Sequence, residues 1–156
     1  MTSNDLESAP ECEPESVSEP EPESASRPAI ELDFHHIAII ASDYGRSKRF
    51  YTEILGFTAI RETYRAARNS YKLDLQLGDR AQIELFSFPE PPPRPTRPEA
   101  CGLRHLAFAV TDLDGAVARL EAAGVACEPI RCDELTDRRF TFFCDPDDLP
   151  LELYES

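Results

Sequence analysis

The feature that most constrains this chain is a pattern of histidine and glutamate that occurs twice at matched spacing. His36 is followed 48 residues later by Glu84, and His105 is followed 47 residues later by Glu152. Each histidine begins an apolar run, and each glutamate lies between apolar residues. A repeat of this kind predicts two copies of one small module.

Helix signals recur in the same register in both halves. Asp43 and Asp112 each lie seven residues after the histidine of their half, where Asp can cap a helix, and Ser42 is a second candidate cap in the first half. Gly56 and Gly124 follow those histidines by 20 and 19 residues, where Gly commonly ends a helix. The order strand, helix and three strands is therefore predicted for each half.

The periodicity of apolar residues sets the predicted bounds. The first half is predicted to hold a helix and four strands, at 44–55 and at 34–40, 58–65, 71–77 and 81–88. The second half is predicted to hold the same set, with the helix at 113–123 and strands at 104–110, 125–131, 138–143 and 150–154.

Composition divides the chain into a tail, two modules and a connector. Residues 1–30 contain eight acidic residues and five prolines, which predicts a disordered acidic tail of Glu, Pro and Ser. The folded domain is predicted over residues 31–156, with module 1 at about 31–88 and module 2 at about 99–156. Residues 89–98 contain six prolines and predict a stiff polyproline connector. Such a spacer can hold the modules apart, so we expect each to pair with the opposite module of a second chain in a homodimer.

Charge and cysteine usage exclude several classes of protein. A net charge of −14 argues against nucleic acid and anionic membranes as partners. No apolar stretch is long enough to span a membrane, and no secretory signal is visible, which predicts a cytoplasmic protein. The five cysteines are odd in number and form no C-x-x-C pair, which favours reduced thiols. A small molecule is the expected partner.

The repeated residues are suited to one divalent metal ion. Imidazole nitrogen and carboxylate oxygen together suit Zn, Ni, Co, Mn or Fe(II). Because side chains alternate across a strand, each module can present one His and one Glu on the same face. A Glu between apolar neighbours is costly unless a cation offsets its charge, and a shared metal would do so for Glu84 and Glu152. His35 points to the other face and is predicted to be structural or at the surface.

With these motifs in view, the chain resembles the vicinal-oxygen-chelate superfamily, and within it glyoxalase I and its short relatives. The resemblance covers about residues 33–155, and its motifs lie at 36–43, 50–57, 83–85, 105–112 and 143–154. It implies an α+β fold in which two βαβββ modules form a cupped, mostly antiparallel eight-stranded sheet. It also implies a metal held by His36, Glu84, His105 and Glu152. Glu at position 84 is more similar to glyoxalase I than to relatives with Gln or no ligand there.

The resemblance implies a lyase or isomerase reaction through an enediolate. The expected substrate is the thiol adduct of a 2-oxoaldehyde such as methylglyoxal, and the expected role is methylglyoxal detoxification. Glu152 would carry a proton between neighbouring carbons, with Glu84 as its symmetric partner. His36 and His105 would remain neutral ligands.

Two positions depart from the glyoxalase I pattern. That enzyme commonly carries Arg and Asn where this chain has Ile40 and Phe88, and both help hold glutathione. The resemblance therefore supports the metal chemistry better than it supports glutathione as the carrier. Six basic residues are candidates for contact with an anionic substrate, although solvated surface is their ordinary role: Arg61, Arg65, Arg68, Lys72, Arg138 and Arg139.

Two alternatives stay open. The first is another metal-dependent reaction of the superfamily: epimerisation, ring-cleaving dioxygenation or thiol transfer to an epoxide antibiotic. The second is a non-catalytic protein that binds or sequesters a small molecule. Such members usually lack the metal ligands, so retention of four ligand-type residues favours an enzyme.

Overall fold

The structure, a computed structural model, describes residues 30, 32–79 and 81–156. The predicted acidic tail lies outside the described residues apart from its last member, Ile30. Residue contacts divide the chain after Asp33, and Phe34–Ser156 form one unit. Among the described helices, none is long and apolar enough to cross a membrane.

Module 1 has the predicted order of elements. Its strands and helix are β1 (Ile37–Ala41), α1 (Tyr44–Arg49), β2 (Thr58–Arg65), β3 (Ser70–Leu77) and β4 (Ala81–Ser87). A π-helical turn, Phe50–Ile54, continues α1, and a short 3-10 turn, Ala66–Arg68, joins β2 to β3. Asp43 caps α1 by accepting a hydrogen bond from the backbone of Arg46, and Gly56, at a φ of 78°, follows the helical segment.

Module 2 repeats that order. It contains β5 (Leu106–Val110), α2 (Leu113–Ala122), β6 (Arg131–Asp133), β7 (Arg138–Cys144) and β8 (Pro150–Glu155). Asp112 caps α2 by accepting from the backbone of Gly115, as Asp43 does for α1. The described strands form two four-stranded sheets, in the orders β1-β4-β3-β2 and β5-β8-β7-β6. The first and last strands of each module are parallel, and the other pairings are antiparallel. The predicted α+β class and mostly antiparallel modules are confirmed.

The sixth strand is where the predicted bounds were wrong. A strand was expected at 125–131, but β6 begins only at Arg131. Pro129 lies inside the expected stretch and has no backbone N–H to give to a ladder. Glu128 still donates one backbone hydrogen bond to Phe142 of β7, at 2.8 Å, three residues before β6 begins.

Burial alternates along the central strands and fixes which face meets the core. Leu73 and Leu75 of β3 and Ile83 and Leu85 of β4 are buried, whereas the intervening residues are half-buried. One apolar cluster contains residues of both modules. Phe57 and Phe108 contact across the modules with ring centroids 5.8 Å apart. The proline-rich connector therefore does not keep the modules out of contact.

Polar contacts, both buried and exposed, also join the modules. Tyr51, on the π-helical turn, donates a hydrogen bond to the buried carboxylate of Asp145, at 2.9 Å. Asp145 is on the loop before β8, and its other oxygen accepts from the backbone of Asp147 and Leu149. Asp147 in turn accepts a 3.0 Å hydrogen bond from the backbone of Ser42, just after β1. The loop between β7 and β8 is thus fixed to the start of α1.

Candidate metal centre

The first predicted pair is brought together by β1 and β4. His36 directly precedes β1, and Glu84 lies in β4 opposite Ala38. Since side chains two residues apart share a face, His36 and Glu84 project to the same side of the sheet. The His36 Nε2 atom lies 3.6 Å from Glu84 Oε2, and the Glu84 side chain is 18% exposed.

The second pair repeats this geometry in module 2. His105 directly precedes β5, and Glu152 lies in β8 opposite Ala107. His105 Nε2 lies 3.1 Å from Glu152 Oε2, and the Glu152 side chain is 12% exposed. In both modules the histidine lies two residues before the strand partner of its glutamate. The histidines were expected inside strands, and the structure places each immediately before one.

Each pair has the donors of half a metal site. Bonds of about 2.0–2.2 Å to His nitrogen and carboxylate oxygen place neighbouring ligand atoms about 3 Å apart, close to the separation in the second pair. His105 Nδ1 is buried and has no hydrogen-bond partner. The other ring nitrogen, Nε2, is the one that lies beside the Glu152 carboxylate. The imidazole and carboxylate donors therefore fit a divalent ion.

The two pairs do not meet within one chain. Among the described residues, no three His, Cys, Asp or Glu side chains gather closely enough to hold a metal ion. We call His36 with Glu84 half-site 1, and His105 with Glu152 half-site 2. A complete four-ligand site would need half-sites from two chains.

Half-site 1 is surrounded by charge. Lys72 Nζ lies 2.7 Å from Glu84 Oε1 and 2.8 Å from Asp74 Oδ1, and Arg61 lies 3.2 Å from the other oxygen of Asp74. Hydrogen bonds to Asp74 and Glu84 raise the pKa of Lys72. Burial alone would raise the pKa of Asp74, but Lys72 and Arg61 outweigh it and the net pKa is lowered. Asp74 was missed from the sequence, although its position two residues after Lys72 in a strand puts both on one face.

Half-site 2 is surrounded by aromatic rings instead. Phe142 lies directly opposite Glu152 in the sheet, the position that Asp74 holds opposite Glu84. The Phe142 ring meets the His105 imidazole edge to face, with centroids 5.2 Å apart. Phe140 lies edge to face against Phe142 at 5.9 Å. The two half-sites thus contain the same residue types, but charged side chains surround half-site 1 and aromatic side chains surround half-site 2.

Neither glutamate lies on the sheet face that packs in the core, although Glu152 shares its own face with Phe142. The buried leucines and isoleucine beside them face the core, and the glutamates face the opposite side. His35 is exposed, as predicted, and its Nδ1 lies 2.7 Å from that of His36.

Most of the basic residues predicted as candidates for contact with an anionic substrate already contact other side chains of this chain. Arg65 stacks over Phe86 and Phe88, with its guanidinium carbon 4.6 and 5.5 Å from the ring centroids. Arg139 binds Glu155 and Asp114. Lys72 and Arg61 bind acids beside half-site 1, as described above. The four described cysteines, Cys101, Cys127, Cys132 and Cys144, are free.

Comparison with known proteins identifies the family. The sequence profile of the Glyoxalase/Bleomycin resistance protein/Dioxygenase superfamily matches residues 33–153. The chain belongs to this superfamily. That range contains both half-sites and the connector.

Relatives within the glyoxalase superfamily match most of the chain. The uncharacterized protein YaeR of Escherichia coli strain K12 is 67% identical over 121 residues, which are 78% of this chain and 94% of YaeR. The crystal structure of a glyoxalase family protein from Enterococcus faecalis has a TM-score of 0.74 and 49% identity, covering 79% of this chain and 97% of that one. The trypanothione-dependent glyoxalase I of Leishmania major has a TM-score of 0.63 and 26% identity, covering 80% of this chain and 87% of that one.

Proposed function

We propose that this chain is a metal-dependent lyase of the glyoxalase I type. It would isomerise the thiol adduct of a 2-oxoaldehyde such as methylglyoxal through an enediolate. The observation that carries the proposal is the repetition of one His–Glu pair at the same strand register in both modules. Membership of the glyoxalase superfamily supports the same reaction class.

The four residues of the half-sites are proposed to hold one divalent ion, Ni, Zn, Co, Mn or Fe. When bound, that ion supplies a Lewis acid that stabilises negative charge developing on substrate oxygens. His36 and Glu84 would come from one chain, and His105 and Glu152 from another. The edge strands β1 and β5 support this arrangement, because Ala38, Ile40 and Ala107 are exposed apolar residues on them.

Glu152 is the better placed of the two carboxylates to move a proton. One oxygen of Glu84 is held by Lys72, whereas Glu152 has no Lys or Arg partner among residues 32–79 and 81–156. The Phe142 ring opposite Glu152 limits access of water from that side. We propose that Glu152 takes a proton from one substrate carbon and returns it to the next.

Replacement of the proposed proton carrier tests this role. Glu152→Gln keeps an oxygen donor but cannot accept the proton, so kcat should fall by roughly 10²–10⁴-fold while bound metal is retained. The measurement is turnover of methylglyoxal with several thiols, alongside elemental analysis of the purified protein. Glu121→Gln, at an exposed position of α2, is the matched control. Undiminished turnover in Glu152→Gln would remove Glu152 from this role.

The same preparation separates the alternative reactions. Stoichiometric metal without turnover of any methylglyoxal adduct would contradict the proposed substrate and favour another superfamily reaction. Oxygen consumption with catechols and Fe(II) would indicate a ring-cleaving dioxygenase. A purified protein that cannot be loaded with metal would favour a non-catalytic binder.

A further inference from the structure

A cavity of about 590 Å³ adjoins half-site 2 and is partly covered by the connector. His105, Phe142 and Pro150 contribute to it from module 2, and Arg94 and Thr96 contribute from the connector. The sequence suggested only a spacer role for this connector. In the structure it forms a wall of a cavity that reaches a proposed metal ligand.

The charge of this cavity is opposite to that of the chain. Its lining includes four arginines, Arg94, Arg97, Arg104 and Arg131, against two acids, Glu99 and Glu128. The whole chain has a net charge of −14. A local excess of positive charge inside an acidic protein favours a small anion over a cation or a neutral ligand.

Three of these arginines have guanidinium N–H groups that donate no hydrogen bond to another described residue. Arg104 makes no hydrogen bond or ion pair with any described residue. The Nε atom of Arg94 is buried and has no hydrogen-bond partner, although another nitrogen of its guanidinium donates to the carbonyl of Leu103. Arg97 has only a 3.8 Å contact with Glu99, and both side chains are largely exposed.

Arg131 connects this charge to the proposed centre. Its guanidinium carbon lies 5.1 Å from the Phe140 ring centroid and 5.7 Å from that of Phe142, distances typical of cation–π contact. Phe142 also meets the His105 imidazole edge to face. One aromatic ring therefore contacts both the arginine and the histidine, and both residues line the same cavity. Arg131 keeps a 2.8 Å ion pair with Glu128, which occupies only part of its five-donor fork.

We propose that this cavity binds an oxyanion, a carboxylate or phosphate group, carried by the substrate. Arg104 and Arg131 hold the anion through charge-assisted hydrogen bonds, and Arg94 and Arg97 add to the positive field. The assignment of the anion to a substrate, and to the thiol carrier in particular, rests on the proposed function. Binding of the anion itself does not depend on turnover.

Binding to the full chain, measured by calorimetry, tests the proposal without any reaction. The probes are 3-(methylthio)propanoate, its neutral amide, and methyl phosphate. The acid or the phosphate should bind at least about tenfold more tightly than the amide, and the preference should decrease as salt is raised. Whichever of the two binds more tightly identifies the oxyanion. Equal binding of acid, phosphate and amide overturns the proposal.

Substitutions locate the site. Arg104→Gln and Arg131→Gln should each weaken binding of the anionic probe by about threefold to tenfold while leaving the amide unchanged. Arg104 makes no hydrogen bond or ion pair with the described residues, so its substitution removes none of the polar contacts of the fold. Arg119→Gln on α2 is the matched control. Anion binding that is unchanged in both variants, or equally weakened in the control, overturns the proposal. Undiminished turnover of a non-anionic thiol adduct in Glu152→Gln would contradict only the proposed reaction, so the failures of the two proposals are distinguishable.

Discussion

At the scale of single residues, Glu84 and Glu152 occupy equivalent positions and have different neighbours. Asp74 faces Glu84 directly across β3 and β4, and Lys72 lies between the two carboxylates. In module 2 the residue opposite Glu152 is Phe142. The pairing of each His with its Glu followed from sequence spacing alone. The Lys72 contact did not, because it depends on the register of β3 against β4, which no spacing along the chain specifies.

Substitution of Lys72 by an uncharged residue should raise the affinity for a divalent metal ion. In Lys72→Met, Glu84 loses its cation and lies opposite the carboxylate of Asp74, which keeps only Arg61, and this destabilises the metal-free protein. A divalent ion no longer competes with Lys72 for Glu84, so we expect its affinity to rise about tenfold, or about 1.4 kcal/mol. The measurement is calorimetric titration with Zn, Ni or Mn and thermal unfolding with and without metal.

Lys48→Met is the matched control for that substitution. Lys48 forms an ion pair of similar length with Glu62, away from either half-site. Metal affinity should be unchanged in this variant. Weaker metal binding in Lys72→Met than in the parent chain would contradict the competition between Lys72 and the metal.

At the scale of elements, the loop between β7 and β8 fixes module 2 to α1. The helix caps and most strand bounds followed from sequence, because Asp caps and alternating apolar residues act locally. The π-helical turn was not predicted, since its apolar pattern also suits an α-helix. It carries Tyr51, whose hydroxyl donates a hydrogen bond to Asp145, 94 residues later in the sequence. Contacts of that range depend on tertiary packing.

The buried carboxyl of Asp145 gives a prediction for pH dependence. Burial is the largest influence and raises the pKa of Asp145, against hydrogen bonds from Leu149, Asp147 and Tyr51 that lower it. The folded state therefore holds the proton more strongly than the unfolded state does. The stability that this provides is present below the unfolded pKa of about 3.9 and is lost as pH rises through the folded pKa.

Asp145→Asn should consequently gain stability relative to the parent chain as pH increases. The Asn side chain stays neutral, so the difference in unfolding free energy should move in its favour between about pH 4 and pH 7. Urea unfolding of both proteins across this range measures the difference. Asp79→Asn, in the exposed turn after β3, is the control for the substitution itself. If the parent chain instead became more stable relative to Asp145→Asn as pH rises, the predicted direction of the pKa shift would be wrong.

At the scale of the whole molecule, one chain holds two separated half-sites. The duplication and the family were apparent from sequence, because spacing, caps and glycines agree across both halves. The packing of the two modules against each other was not apparent from sequence. The proline-rich connector favoured separated modules, and the shared core depends on which sheet and helix faces of the two modules pack together. The expectation that two chains complete each site stays a prediction.

Mixing two inactive variants tests that expectation. His36→Ala and His105→Ala should each lose metal and turnover, because every site then lacks one ligand. If half-sites combine across chains, a mixed dimer regains one intact site, from His36 of one chain and His105 of the other. Random mixing in a twofold dimer should restore roughly a quarter of the parent sites. Elemental analysis and turnover after mixing and subunit exchange provide the measurement. No recovery, in a sample shown to contain mixed dimers, would contradict pairing across chains.

The contacts of Asp147 have a consequence for communication between sites. Ser42, just after β1, donates to Asp147, which lies on the loop that leads into β8. His36 precedes β1, and Glu152 lies in β8. Under the proposed pairing these two residues serve different cavities of the dimer. The hydrogen bond between Ser42 and Asp147 therefore joins the strand that follows His36 to the strand that contains Glu152.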